Sequence, residues 1–251
     1  MTRLFQLAET STEVSAELEE NTQLPEIVRK WLRNSGVKDN PEVAFVRLRQ
    51  QGRMKLKPDA DWMPFQANQY FNVKAHSFIW TARVNSGSLV YFDGRDKLIN
   101  GEGEMLIKLL SLFPVVNEYN NDKIDSGAMQ RFLAEICWFP TAALSDQISW
   151  EALNGNAARA DLKIYGKKVS GIFDFSEDGE LLSFQAQRFY GGEQDAKKET
   201  WHIEMLDFKE FSGYRIPNKC RITWKLAEGD FTWLELEIME VDYNSAEFYS
   251  N

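Results

Sequence analysis

The 251-residue sequence predicts a mainly β (α+β) protein: a curved antiparallel sheet of about ten or eleven strands forming an incomplete barrel, with an N-terminal helix and a mid-chain helical lid. Three observations carry this. Apolar and polar residues alternate with a period of two through most of 42–103 and again from Ile148 onward, the mark of strands with one wet face. Turn-forming pairs punctuate those runs. Aromatic residues make up 13% of the chain (17 Phe, 8 Tyr and 8 Trp), enough for a bulky core or a cavity walled by rings.

In chain order, residues 1–23 read as a mobile acidic lead-in, polar over "AETSTEVSAELEENTQ" (8–23), and 24–251 as one half-barrel domain. Leu24, Ile27, Val28, Trp31 and Leu32 share one face of a helix that has Pro25 and Glu26 in its first turn and Gly36 just past its end. Val46, Leu48 and Met54 then alternate with Arg47, Arg49 and Arg53, and Phe78, Trp80, Ala82 and Val84 alternate with Thr81 and Arg83. "NSGS" (85–88), "DG" (93–94) and "NG" (100–101) read as turns, while "EMLIKLLSLF" (104–113) fits either a doubly buried strand or a helix. Residues 117–146 form the helical insert: Asp125 or Ser126 caps it, Met129, Phe132, Leu133, Ile136 and Cys137 form its stripe, and "TAALSD" adds a short second turn. Six further strand-like runs follow, with "SEDG" (176–179) and "AEGD" (227–230) as hairpin turns. "FQANQYF" (65–71) is echoed by "FQAQRFY" (184–190), as chance or shared strand chemistry would give, or as a duplication would.

A formal net charge of −9, with Lys and Arg scattered singly, excludes the basic footprint that nucleic-acid binding requires. Cys137 and Cys220 read as reduced, partly buried thiols. The N-terminus lacks the apolar stretch of a secretory signal, and the longest apolar run, Met105 to Val116, is broken by Lys108 and Pro114 and too short to span a bilayer. The expectation is a soluble, cytoplasmic chain without a membrane span, or an exported or membrane-associated one if an upstream segment has been removed. The sequence carries no signal for an oligomeric state.

The sequence carries none of the motifs that mark a particular reaction. His76 and His202 stand alone, so no zinc set exists. "NEYNNDKID" (117–125) lacks the mid-loop glycine and closing glutamate of a calcium loop. "GEG" (101–103) has no third glycine, and neither a phosphate loop nor a nucleophile elbow is present. No metal and no cofactor are expected. Arg131 and Glu135, four apart on the insert, read first as a surface ion pair and otherwise as a buried pair directed into a cavity. A single curved sheet plugged only by short helices is expected to keep an apolar cavity. Trp80, Trp138, Phe139, Phe184 and Trp224 would then contact the apolar part of a small lipid-like molecule, Arg131 with Glu135 would meet its head or brace the lid, and Arg188 is expected among the ligand-binding residues.

"RFLAEICWFPTAALSDQISWE" (131–151), with "WMPFQANQYF" (62–71), "FDFSEDGELLSFQAQRFY" (173–190) and "YRIPNKCRITWKLAEGDFTWLELEI" (214–238), resembles a bacterial family of uncharacterised proteins over nearly all of 24–244. That resemblance brings no activity with it. The layout also resembles the fold of the periplasmic lipoprotein carrier and its outer-membrane receptor, which implies an open barrel closed by a lid over a site for acyl chains. The chain departs from those proteins in having no secretory signal or lipobox cysteine. Two alternatives stand beside ligand binding: an enzyme using Glu135 and Arg131 in a cleft, with Arg188 or Tyr190, and a protein-interaction module with an exposed apolar patch.

Overall fold

Alternation becomes one continuous sheet in the computed structural model, which describes residues 4, 24–87 and 89–249. The predicted lead-in at 8–23 lies outside the described residues. The described residues form thirteen antiparallel strands where ten or eleven were expected. The first meander comprises β1 (Phe45–Met54), β2 (Met63–Asn72), β3 (Ser77–Asn85), β4 (Tyr91–Ile99), β5 (Glu102–Leu109) and β6 (Phe113–Tyr119). The second comprises β7 (Ile148–Asn154), β8 (Ala157–Ile164), β9 (Lys167–Phe175), β10 (Leu181–Phe189), β11 (Lys198–Phe211), β12 (Tyr214–Leu226) and β13 (Gly229–Tyr243). Strand β13 pairs with β1, so the order runs β6-β5-β4-β3-β2-β1-β13-β12-β11-β10-β9-β8-β7 and the sheet stays open at β6 and β7.

Two helices match the predicted ones. Helix α1 (Glu26–Asn34) starts after Pro25, stops before Gly36 at φ 81°, and buries Ile27, Val28, Trp31 and Leu32. Trp31 meets the rings of Trp150, Phe173 and Phe175 on the inner face of the second meander. Helix α2 (Asp122–Glu135) lies in the concavity and touches β4 and β5 on one wall and β8, β9 and β10 on the other. Short 3-10 turns at Ile136–Trp138 and Pro140–Leu144 continue it.

Several expectations are corrected. The ambiguous segment 104–113 is a hairpin, not one element. Leu110 and Ser111 turn at φ 51° and 62°, and the chain re-enters the sheet as β6 to Tyr119 before any helix begins. The helix cap is Asn121, whose side chain accepts from the Lys123 amide at 3.0 Å. Asp125 is used elsewhere: it accepts from the Gly103 amide at 2.7 Å and pairs with Lys167, tying the helix start to both walls. Asp93–Gly94 lies inside β4 and makes no turn; a Cβ on Gly94 would stand 3.4 Å from the Trp80 ring, so the glycine gives that indole room. The "NG" pair at 100–101 does turn, with both residues at positive φ.

Strand register defines the two faces. Leu48, Gln69, Trp80, Asp96 and Met105 fall in one inward row, and Gln50, Ala67, Ala82, Gly94 and Ile107 in the next. Where α2 and the turns after it cover this face, side chains are sealed: Phe71, Phe78, Phe132, Leu133 and Phe139 have no exposed surface.

Candidate functional site

A chain of polar side chains interrupts this apolar inner face. Trp80 Nε1 donates to Gln50 Oε1 at 2.8 Å, Gln50 Nε2 donates to Gln69 Oε1 at 3.1 Å, and Gln69 Nε2 donates to Glu135 Oε2 at 2.7 Å. Arg131 completes it, donating from Nε to Glu135 Oε1 and from Nη1 to Asp96 Oδ2, each at 2.8 Å. The guanidinium also lies over the rings of Phe78 and Trp80, at 5.1 and 4.9 Å. Arg131 and Glu135 are therefore a buried pair, not the surface pair read first from their spacing.

Burial sets the electrostatics. It pushes the Glu135 carboxyl above its ordinary pKa, against the opposing charge of Arg131 and the bonds from Arg131 and Gln69. It does the same to Asp96, against the pull of Arg131 and Arg188. For Arg131, burial acts downward, but the carboxylates of Glu135 and Asp96 outweigh it and the net direction is up. Both oxygens of Glu135 are occupied, so its geometry is that of a brace.

The second arginine is arranged differently. Arg188, half-buried on β10, faces the same concavity from the opposite wall. Its guanidinium stacks over Trp201 at 4.4 Å, with Trp224 at 6.0 Å. Gly127 of α2 passes so close that a Cβ there would stand 3.1 Å from Arg188 Nε. Among the described residues it makes no hydrogen bond or ion pair, although Glu199 is its cross-strand neighbour. Burial, and then the charge of Arg131, lower its pKa to about 10.

Beyond α2 the inner face is not sealed. Phe92, Met105 and Ile107 on one wall and Leu234 and Leu236 at the base have inward register yet stay half-buried. Trp80, Met54, Met63, Met205 and Trp224 each keep 8–9% exposure, unlike the residues sealed beneath the helix. The space directly beneath the insert is filled with side chains; the open part of the concavity lies beside it. A groove of about 680 Å³ runs along the β1–β13 seam, lined by outward residues such as Arg53 and Arg221, which both meet Glu235, and also by Gly52, Phe65 and Leu236 of inward register.

Residues 22–243 match the model of a family of unknown function, DUF6920. The chain belongs to that family. No curated protein matches it. Among solved structures, the DUF6920 chain is similar to a LolA superfamily protein from Nitrosomonas europaea, at TM-score 0.45 and 8% identity over 87% of this chain and 92% of that one. It is similar to an outer membrane lipoprotein-sorting protein domain from Vibrio parahaemolyticus, at TM-score 0.43 and 9% identity over 80% and 86%. A DUF1329 family protein from Desulfovibrio piger gives TM-score 0.40 and 8% identity over 93% and 94%.

Of the eight side chains expected to bind a ligand, five lie around the concavity: Trp80, Arg131, Glu135, Arg188 and Trp224. The other three are packed into the core. Phe139 sits on Phe71 at 4.6 Å, Trp138 donates to the Pro217 carbonyl at 3.1 Å, and the Phe184 ring fills the space over Gly171, where a Cβ would be 2.2 Å away. Sequence reasoning missed Gln50, Gln69 and Asp96. Their signal was present: each is a polar residue at an inward position of an alternating strand, as is Arg188 two places after Ala186. No helix among the described residues is long and apolar enough to cross a membrane, and no group of metal-binding side chains occurs among them.

Proposed function

We propose that this protein binds a hydrophobic or amphipathic small molecule, lipid-like in shape, in the part of the concavity that α2 leaves uncovered. One observation carries the reading: apolar side chains of inward register, Phe92, Met105, Ile107, Leu234 and Leu236, remain half-buried within a sheet curved around them. Monomeric proteins seldom leave such a wall wet without a use for it. Trp80 and Trp224 flank the wall, and the Gln50–Gln69–Glu135–Arg131 chain holds the helix in place beside it.

The test is extraction of the purified protein with organic solvent followed by mass spectrometry, with titration of the delipidated protein by an apolar fluorophore. A co-purifying amphiphile and saturable dye binding are expected. Leu236→Arg, which puts a charge into the wall, should weaken dye binding at least tenfold while leaving the far-UV circular dichroism unchanged. A delipidated protein that binds no dye, with Leu236→Arg indistinguishable from it, overturns the proposal.

A further inference from the structure

Five charged side chains face the concavity, Asp96, Arg131, Glu135, Arg188 and Glu199, and the first three are bonded to one another. Arg131 serves both Glu135 and Asp96 directly. The Arg188 guanidinium donates to nothing among the described residues, Glu199 opposite it included. It is nonetheless held: Trp201 lies under its face, Trp224 stands at 6.0 Å, and the backbone of α2 crosses at Gly127. A guanidinium keeps its charge under all ordinary conditions and carries five donors in a planar fork. Leaving that fork unbonded while fixing its plane costs hydrogen bonding and gains only ring contact. The Trp201 indole N–H is a buried donor without a partner, whereas the half-buried Arg188 fork still reaches solvent. A guanidinium fork with no protein acceptor and an unpartnered indole N–H at the rim of an apolar wall are complementary to an acceptor joined to an apolar body.

We infer that Arg188 is the head-group site of the ligand, and that the ligand is an anionic amphiphile whose carboxylate or phosphate lies on the Arg188 fork while its chain runs along Phe92, Ile107 and Leu236. This rests on the reading of the concavity as a ligand site and adds the charge of the ligand to it. Asp96, 24% exposed, is the competing feature, because its carboxylate would favour a cation. Asp96 already accepts from Arg131, and Glu199 stands opposite Arg188 in the same inward register, but neither carboxylate bonds the Arg188 guanidinium, which Asp96 and Glu135 attract only at longer range; the unused hydrogen-bond donors are therefore on Arg188.

The experiment is calorimetric titration of the delipidated protein with four probes below their micellar concentrations: laurate, dodecanol, dodecyltrimethylammonium and acetate. Laurate is expected to bind about tenfold more tightly than dodecanol, a charge-assisted bond set against a neutral one, with acetate too weak to detect. Arg188→Gln should remove the laurate preference and leave dodecanol binding unchanged. Arg188→Lys, which keeps the charge but not the planar fork, should fall between them. Equal binding of laurate and dodecanol, tighter binding of the cation, or acetate binding as well as laurate would each overturn the head-group assignment while the apolar site stands. Failure of every twelve-carbon probe would remove the apolar site itself.

Discussion

At the scale of single residues, the direction of the inner hydrogen-bond chain is fixed from one end. An indole N–H can only donate, so Gln50 must turn its oxygen to Trp80 and its amide to Gln69, and Gln69 must then donate to residue 135. Residue 135 has to accept from Gln69 and from Arg131 at once, which a carboxylate does and an amide cannot. Glu135→Gln, although isosteric, should therefore cost about 2–4 kcal/mol, because one buried donor is left facing another. Exchanging the pair restores the pattern. In Gln69→Glu combined with Glu135→Gln, residue 69 accepts from both neighbours while residue 135 donates to it and accepts from Arg131. Urea denaturation should show the double variant to be more stable than Glu135→Gln alone; losses that simply add would break the one-way argument. Little of this was legible in sequence. The i, i+4 spacing found Arg131 and Glu135, but their burial depends on Gln69 and Asp96, which reach them from strands 66 and 35 residues away.

At the scale of elements, turns with their own local chemistry were readable and elements defined by their neighbours were not. "SEDG" and "AEGD" close hairpins because Gly179 and Gly229 take positive φ, a property of the residue itself. Strand β6 was hidden because it is an edge strand with Phe113 and Val115 exposed and Pro114 among them, so it never alternates. The echo of 65–71 in 184–190 acquires a meaning in β2 and β10: it aligns Gln69 with Arg188, each the inward polar residue of its strand. Helix α2 is seated by backbone contact at Gly103, where a Cβ would stand 2.7 Å from the Ile124 carbonyl oxygen. Gly103→Ala should lift the helix start from β5, cost about 1–3 kcal/mol, and increase fluorescence of an apolar dye as the covered wall opens. Unchanged stability and unchanged dye fluorescence would show that the helix does not depend on that contact.

At the scale of the molecule, neither meander can bury its inner face alone. The first six strands and the last seven meet at a single seam, β1 on β13, with Val46 opposite Tyr243 across nearly the whole described chain. Helix α2 reaches β4 and β5 from one side and β8 to β10 from the other, and its Asp125 bonds to Gly103 and Lys167 at once. The main core is accordingly one contiguous set of side chains from Leu24 to Val241, with a small second cluster of Leu4, Tyr70 and Ile79 apart from it. A sheet assembled this way has no point at which half of it can unfold without uncovering the other half. Unfolding should be a single transition in which far-UV circular dichroism, reporting all strands, and tryptophan fluorescence, reporting Trp80 in the first meander and Trp201 and Trp224 in the second, have coincident midpoints. Because the seam joins the two ends of the sequence, it should also form late, with refolding on the millisecond-to-second scale or slower. Two separated transitions, or a fragment ending at Leu226 that keeps a cooperative transition of its own, would mean that the meanders are independent units and that the concavity between them is not held by the fold.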